Sequence, residues 1–125
     1  MIRGIGVDII EINRFALWHT YATRTLLRVF SQEEINYCLQ DVTKSAERFA
    51  VRFAAREALY KALSYAYPDV TIPFLTLCKY VTITKIGSRP YLVLADECGI
   101  DVQDLVIHLS LSHADTVAVA FVVVE

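Results

Sequence analysis

The hydrophobic pattern changes its period several times along the chain, and each change marks a secondary-structure element. Residues 2–12 (IRGIGVDIIEI) are rich in Ile and Val and predict a first strand. Residues 13–29 carry apolar side chains at helical spacing and predict a first helix. The capping-box pattern at residues 31–34 (SQEE) predicts a short second helix over residues 32–42.

A long helix is the strongest prediction of the pattern. Over residues 44–66, alanine recurs at every fourth position, which gives one smooth helix face suited to close packing. These alanines are Ala50, Ala54, Ala58, Ala62 and Ala66. Pro68 and Pro73 then end the helical pattern, because proline lacks the backbone N–H that a helix interior requires.

The second half of the chain alternates between apolar and polar residues as strands do. Residues 80–86 and 91–94 flank a GSRP sequence at 87–90, which predicts a β-hairpin. Residues 106–112 and 117–124 predict a last pair of strands joined by a short turn.

Strands and helices are segregated along the chain. This order predicts one α+β domain over residues 1–125, with a mainly antiparallel sheet packed against the long helix. Hydrophobic residues make up 55% of the chain, which excludes a disordered protein. Twelve basic and fourteen acidic residues give a net charge of −2, so a general positive field for nucleic acid is excluded. Attraction to any anion must therefore be local.

The sequence predicts neither membrane insertion nor export. The apolar run at 117–124 is far shorter than the ~20 residues that a membrane-spanning helix needs. Asp8 and Glu11 interrupt what would be the core of a signal peptide. The three cysteines lie far apart and form no Cys-x-x-Cys pair, which predicts small buried thiols in the reducing cytoplasm.

Asp8 is a charged residue among strand-forming apolar neighbours. An ionised carboxylate in such a place costs several kcal/mol unless a partner compensates it. One interpretation is a strand-end carboxylate bonded to backbone N–H groups or to an arginine. The other is a ligand of Mg²⁺, which takes oxygen ligands and needs only one or two carboxylates beside phosphate and water.

The long helix carries a second concentration of charge. Glu57 and Lys61 stand four residues apart on one face, and Arg52 and Arg56 lie beside that face. One interpretation is an ordinary ion pair between Glu57 and Lys61 on a solvated surface. The other makes Glu57 a second metal ligand and Lys61 a phosphate contact, because acids hold the metal while bases meet the remaining phosphate oxygens.

Two further groups of residues leave alternatives open. Strand alternation puts His108 and His113 on opposite faces, which argues against a metal site with two histidines. His113, in the predicted turn, either binds phosphate or caps the loop. Arg14, Arg24 and Arg28 either form a basic patch for an acidic protein partner or lie on a solvated helix face.

Three blocks of the sequence together resemble the holo-acyl-carrier-protein synthase family, which are small 4′-phosphopantetheinyl transferases. The blocks are GIGVDIIEINRF (4–15), RFAVRFAAREALYKAL (48–63) and LSLSHADTVAVAFVV (109–123). Their order and spacing fit the family across essentially the whole chain. The resemblance implies the phosphopantetheinyl transferase fold and transfer of the phosphopantetheine arm of coenzyme A to a serine of apo acyl carrier protein. It also implies dependence on Mg²⁺ and release of adenosine 3′,5′-bisphosphate.

The matched positions imply roles for six residues. Asp8 and Glu57 match the metal-binding acids, and Lys61 matches the lysine beside the transferred phosphate, so Glu57 and Lys61 are the expected catalytic residues. The serine proton goes either to Glu57 or to a water held at the metal. The remaining matches are contacts with coenzyme A, from Arg52, Lys61 and His113, and a contact with the acidic carrier protein, from Arg14.

The family resemblance also implies a homotrimer with active sites between subunits, which suits the high apolar content. Two departures from the family pattern stand out: Arg56 replaces the usual lysine before the glutamate, and residues 64–71 (SYAYPDVT) contain no glycine where the family has a Gly-rich turn. The altered turn motivates one alternative function, a non-catalytic module that binds coenzyme A or a nucleotide. The apolar strands and the alanine ridge motivate another, a purely structural oligomer subunit.

Overall fold

The computed structural model describes all 125 residues of the chain. Its five strands form a three-stranded antiparallel sheet of order β1-β5-β4 and a separate β2-β3 hairpin. The strands are β1 Gly4–Glu11, β2 Val81–Ile86, β3 Arg89–Leu94, β4 Ile107–His113 and β5 Val117–Val124. This arrangement confirms the predicted α+β class with antiparallel sheets.

The four α-helices differ greatly in length. They are α1 Thr23–Leu26, α2 Gln32–Leu39, α3 Val42–Ala66 and α4 Phe74–Cys78. The capping box of α2 is present, since the Ser31 side chain accepts from the backbone N–H of Glu34 and the Glu34 side chain accepts from the backbone N–H of Ser31. The predicted long helix is confirmed. None of the helices combines the length and the apolar character needed to cross a bilayer.

The predicted helix over residues 13–29 is wrong. The segment forms two 3-10 helices, Ile12–Phe15 and Trp18–Thr20, before the single turn of α1. Its aromatic side chains fold inward as a cluster: the rings of Phe15 and Trp18 lie 4.4 Å apart, and Trp18 also contacts Phe53 of α3. Tertiary packing of these rings therefore overrides the helical spacing.

Other boundaries differ by a few residues. Helix α2 ends at Leu39 rather than near residue 42, because the Asp41 side chain accepts from the backbone N–H of Thr43 and starts α3 there. Helix α4 was not predicted. The hairpin turn is tighter than predicted, with Gly87 at a φ of 63°, a conformation that glycine adopts at little cost.

Strand β1 crosses the long helix α3 at very close range. A Cβ atom added to Gly6 would lie 1.9 Å from the carbonyl oxygen of Ala58, and one added to Gly4 would lie 2.2 Å from that of Ala62. The alanine ridge of α3 and the two glycines of β1 thus bring two backbones into contact. This crossing fixes where the next inward-facing residue of β1, Asp8, meets the helix.

Candidate active site

Asp8 lies on the face of β1 that meets α3, next in the alternation after Gly4 and Gly6. Its side chain is 16% exposed, and its Oδ1 lies 3.2 Å from the ammonium nitrogen Nζ of Lys61. The same Nζ donates to the carbonyl oxygen of Val7 at 2.9 Å. Lys61 itself is half exposed, so it compensates the Asp8 charge from the solvent side of the crossing.

Glu57 stands one helical turn before Lys61 on α3. Burial raises the pKa of the Glu57 carboxyl, and the negative charge of Asp8 raises it further, against smaller opposing effects of Lys61 and Arg14. The two carboxyls therefore lie close enough to repel each other. Lys61 pairs with Asp8 rather than Glu57, so the surface ion pair that the helical spacing allowed is absent.

The acid pair fits a hard divalent cation. Asp8 and Glu57 offer carboxylate oxygens from two different elements, and their mutual repulsion is relieved when a cation lies between them. No group of three or more His, Cys, Asp or Glu side chains gathers anywhere in the chain. A donor set of two carboxylates suits Mg²⁺, which retains several waters and takes phosphate oxygens from a substrate.

Arg14 lies close to this acid pair, in the 3-10 helix that follows β1, and it is exposed. Its positive charge partly opposes the rise in the pKa of Glu57. Arg24 and Arg28 are also exposed, in α1 and just after it. Of these three arginines, Arg14 is the one whose charge acts on the acid pair.

Arg52 and His113 form a second group in a different place. Both line a cavity of about 270 Å³ between α2, α3, the β2-β3 hairpin and the end of β4. The His113 ring nitrogen Nε2 lies 3.1 Å from the Glu47 carboxylate. His108 lies on the other face of β4 and pairs with Glu125 at 2.7 Å, so the two histidines do point apart as predicted.

The long helix separates the two groups within one chain. Lys61 follows Arg52 by nine residues, which places it about 180° around the helix axis. The structure therefore brings Asp8, Glu57 and Lys61 together and puts Arg52 with His113 on the opposite side of α3.

Three residues of the second group were missed in the sequence. Tyr37 of α2, Arg48 of α3 and Lys85 of β2 all line the same cavity. Arg48 was detectable, because it precedes Arg52 by four residues and so shares its helix face. Tyr37 and Lys85 carry no local signal, since only the packing of α2 and the hairpin brings them there.

The chain matches a known protein family along almost its whole length. The family model described as the 4′-phosphopantetheinyl transferase superfamily matches residues 4–121. The chain belongs to this superfamily. Among curated proteins, the chain is similar to the holo-[acyl-carrier-protein] synthase of Treponema denticola. The two are 36% identical over an alignment of 131 residues, which covers 100% of this chain and 99% of that protein.

Solved structures of this superfamily have the same fold. The synthase of Bacillus anthracis, solved in complex with CoA (3′,5′-ADP), is 30% identical, covers 100% of this chain and 97% of its own, and has a TM-score of 0.77. The Chronobacterium ammoniagenes ACPS-CoA complex is 28% identical over 98% of this chain and 96% of its own, with a TM-score of 0.81. The phosphopantetheinyl transferase fold and the holo-acyl-carrier-protein synthase type of enzyme are thereby confirmed.

Proposed function

We propose that this protein transfers the 4′-phosphopantetheine group of coenzyme A to a serine of apo acyl carrier protein and releases adenosine 3′,5′-bisphosphate. The observation that carries the proposal is the meeting of Asp8, Glu57 and Lys61 at the crossing of β1 and α3. Two close acids beside a lysine suit a diphosphate and its divalent cation, which is the reacting part of coenzyme A.

Charge stabilisation is the main task of the site. Asp8 and Glu57 would hold Mg²⁺, which when bound neutralises charge on the diphosphate oxygens. The positive charge of Lys61 would stabilise the oxygens of the phosphoryl group being transferred. Its Nζ is held by Val7 and Asp8, so this charge is already in place before the substrate arrives.

The transfer forms one P–O bond and breaks another. The serine hydroxyl oxygen attacks the phosphorus that carries the pantetheine, and the bond from that phosphorus to the bridging oxygen breaks. The electron pair stays on the oxygen of the departing adenosine 3′,5′-bisphosphate. The serine proton passes either to Glu57 or to a water held at the metal.

A mass-shift assay tests the proposal. An apo acyl carrier protein is incubated with this protein, coenzyme A and Mg²⁺, and the carrier is weighed by mass spectrometry. We expect the phosphopantetheine adduct with the wild type, and no adduct with Asp8→Ala or Glu57→Ala. Glu11→Ala is the matched control, because Glu11 lies at the exposed end of the same strand.

The outcomes separate the alternatives. Full transfer by Asp8→Ala or Glu57→Ala at ordinary Mg²⁺ concentrations overturns the assignment of the metal ligands. Wild-type protein that binds coenzyme A in calorimetry but yields no adduct is a binding module rather than a transferase. Wild-type protein that binds no coenzyme A supports a structural subunit.

We infer further that the active protein is a homotrimer. On the face of the three-stranded sheet that points away from α3, strands β1 and β5 expose apolar side chains, with Ile9 66% exposed and Phe121 42% exposed. Strand β4 carries His108, Ser110 and Ser112 on the same face. The apolar side chains of this face are Ile5, Val7, Ile9, Val119, Phe121 and Val123. An exposed apolar patch of this kind, bordered by polar residues, favours contact with further copies of the chain.

Active sites between copies follow from the separation of the two groups on α3. One copy would supply Asp8, Glu57 and Lys61, and its neighbour would supply Arg52 and His113 for coenzyme A. A subunit-mixing experiment tests this arrangement: Asp8→Ala and Arg52→Ala, each inactive alone, are unfolded together and refolded. Recovery of about a quarter of the wild-type activity is expected from random mixing, and no recovery contradicts shared sites.

We also propose a cellular location, a carrier-protein contact and a domain organisation for the chain. Three free buried cysteines support residence in the reducing cytoplasm. Exposed Arg14, next to the acid pair, would contact the acidic carrier protein. Residues 1–125 would act as one domain, since the superfamily match runs through nearly the whole chain.

A further inference from the structure

Tyr37 of α2 lies at the centre of three cationic side chains from two other elements. Its ring centroid is 4.1 Å from the Cζ of Arg48 and 4.6 Å from the Cζ of Arg52, both on α3. It is 5.2 Å from the Nζ of Lys85 at the end of β2. Lys85 also donates to the Tyr37 hydroxyl oxygen at 3.1 Å, and Arg48 donates to the Tyr37 carbonyl oxygen at 2.8 Å.

Three positive charges this close repel one another unless something holds them. The negative face of an aromatic ring attracts cations within about 6 Å, so Tyr37 offsets part of the repulsion. The hydrogen bond from Lys85 lowers the pKa of the Tyr37 hydroxyl, which places partial negative charge toward the lysine. We call Arg48, Arg52 and Lys85 the basic cluster.

Arg52 is held in place but has unused hydrogen-bonding capacity. Its exposure is 5%, its Nη1 donates only to the carbonyl oxygen of Arg48, and its buried Nε has no hydrogen-bond partner. The Glu34 carboxylate is 4.0 Å from that Nε, beyond hydrogen-bond distance. A fixed guanidinium with free N–H groups beside a cavity is suited to an anion that enters from solvent.

The cavity itself is predominantly basic. Lys44 and His113 line it together with the basic cluster, and Glu47 is the acid among its lining residues. Because the cluster lies opposite Lys61 around α3, it faces away from the reacting site of its own chain. It therefore suits a second anionic group of the ligand, remote from the diphosphate. Coenzyme A carries such a group, the phosphate monoester on its ribose.

We propose that Tyr37 is a positioning residue that holds the basic cluster in register for the ribose phosphate monoester of coenzyme A, and so contributes to selection of coenzyme A over its 3′-dephospho form. The inference rests on the proposed function for the identity of the ligand. Tyr37 contacts the cations and acts through them on substrate affinity rather than on the transfer step.

The test compares two substrates and three variants. With Tyr37→Leu, the KM for coenzyme A should rise about tenfold while kcat stays within about twofold, because several cation–ring contacts are lost. The KM for 3′-dephospho-coenzyme A should not change. Tyr37→Phe keeps the ring and should remain within about threefold of wild type. Tyr91→Leu is the control, since Tyr91 lies in the hairpin that carries Lys85, on the face opposite the cavity-lining Pro90.

A binding measurement keeps the inference separate from the proposed function. Calorimetry with adenosine 3′,5′-bisphosphate and with adenosine 5′-monophosphate needs no transfer, and Tyr37→Leu should weaken only the bisphosphate. This result stands even if the wild type transfers nothing, in which case the proposed function alone fails. If Tyr37→Leu does not fold, Lys85→Met should give the same selective loss. Equal weakening of both nucleotides, or none, overturns the inference.

Discussion

The guanidinium of Arg56 and the carboxylate of Glu34 form a fully buried two-point ion pair. Nη2 lies 2.6 Å from Oε1 and Nη1 lies 2.8 Å from Oε2, and Nη2 also donates to the carbonyl oxygen of Val81 at 2.8 Å. The pair ties α2, α3 and β2 together. The planar fork of an arginine donates to two carboxylate oxygens at once, which the point charge of a lysine does not do, so Arg56 is suited to this position beside Glu34.

Loss of this pair should strongly destabilise the protein. In Glu34→Gln the Arg56 charge stays buried without its counter-charge, so the free energy of unfolding should fall by about 3–5 kcal/mol. Glutamine keeps the capping box, which confines the loss to the pair. Urea unfolding measures the change. The control is Glu33→Gln at the exposed neighbouring position, expected within about 0.5 kcal/mol of wild type. A loss from Glu34→Gln no larger than that of the control contradicts the role of the pair.

The crossing of β1 and α3 should tolerate no side chain at position 6. In Gly6→Ala the new methyl group meets the carbonyl oxygen of Ala58, so strand and helix must separate, at a cost of about 3 kcal/mol or more. Thermal unfolding followed by circular dichroism measures the loss. Adding Ala58→Gly should not restore stability, because the obstacle is backbone; rescue by that change would show that the side chains decide the contact.

The buried thiols should be unreactive and should make the fold sensitive to high pH. Burial raises the pKa of Cys38 to about 12 and that of Cys78 to about 11. Both exceed the roughly 8.5 of an unfolded thiol. Their stabilising contribution is therefore complete below about pH 8.5. It is lost as the pH rises toward 11–12, because the thiols of the unfolded chain ionise at a lower pH than those of the folded protein.

Labelling and unfolding experiments check this expectation. At pH 8, iodoacetamide should modify the native thiols at least about a hundredfold more slowly than the urea-unfolded ones. Between pH 8 and 10, the free energy of unfolding should fall less in Cys38→Ala than in the wild type. Rapid native labelling of either cysteine, or an equal fall in both proteins, would be inconsistent with the burial of these groups.

A charge on the uncovered sheet face should dissociate the proposed trimer. Phe121→Asp places a carboxylate in the apolar patch formed by β1 and β5, where a contact between copies would bury it without a partner. Sedimentation velocity should show a species of one third the wild-type mass, and transfer activity should be lost with it. Val93→Asp, on the exposed face of β3, should leave the mass unchanged. A wild type that sediments as a monomer contradicts the oligomer itself.

The sequence by itself determined the strands, the long helix and the identity of the main chemical groups. These follow from local rules: alternation in β1, the alanine repeat of α3, and the capping box at Ser31, where each residue reports on near neighbours. The family resemblance likewise depended on short motifs around Asp8 and Glu57.

Only the tertiary structure decided which side chains meet. Lys61 pairs with Asp8 rather than with Glu57 because the strand crosses the helix at Gly6, a contact between residues more than fifty positions apart. The same holds for Glu34, which looked like a capping residue and is also the buried partner of Arg56, and for Tyr37, which gathers its cations from two other elements. Such contacts depend on how elements pack, and a local pattern carries no information about the neighbour that packing supplies.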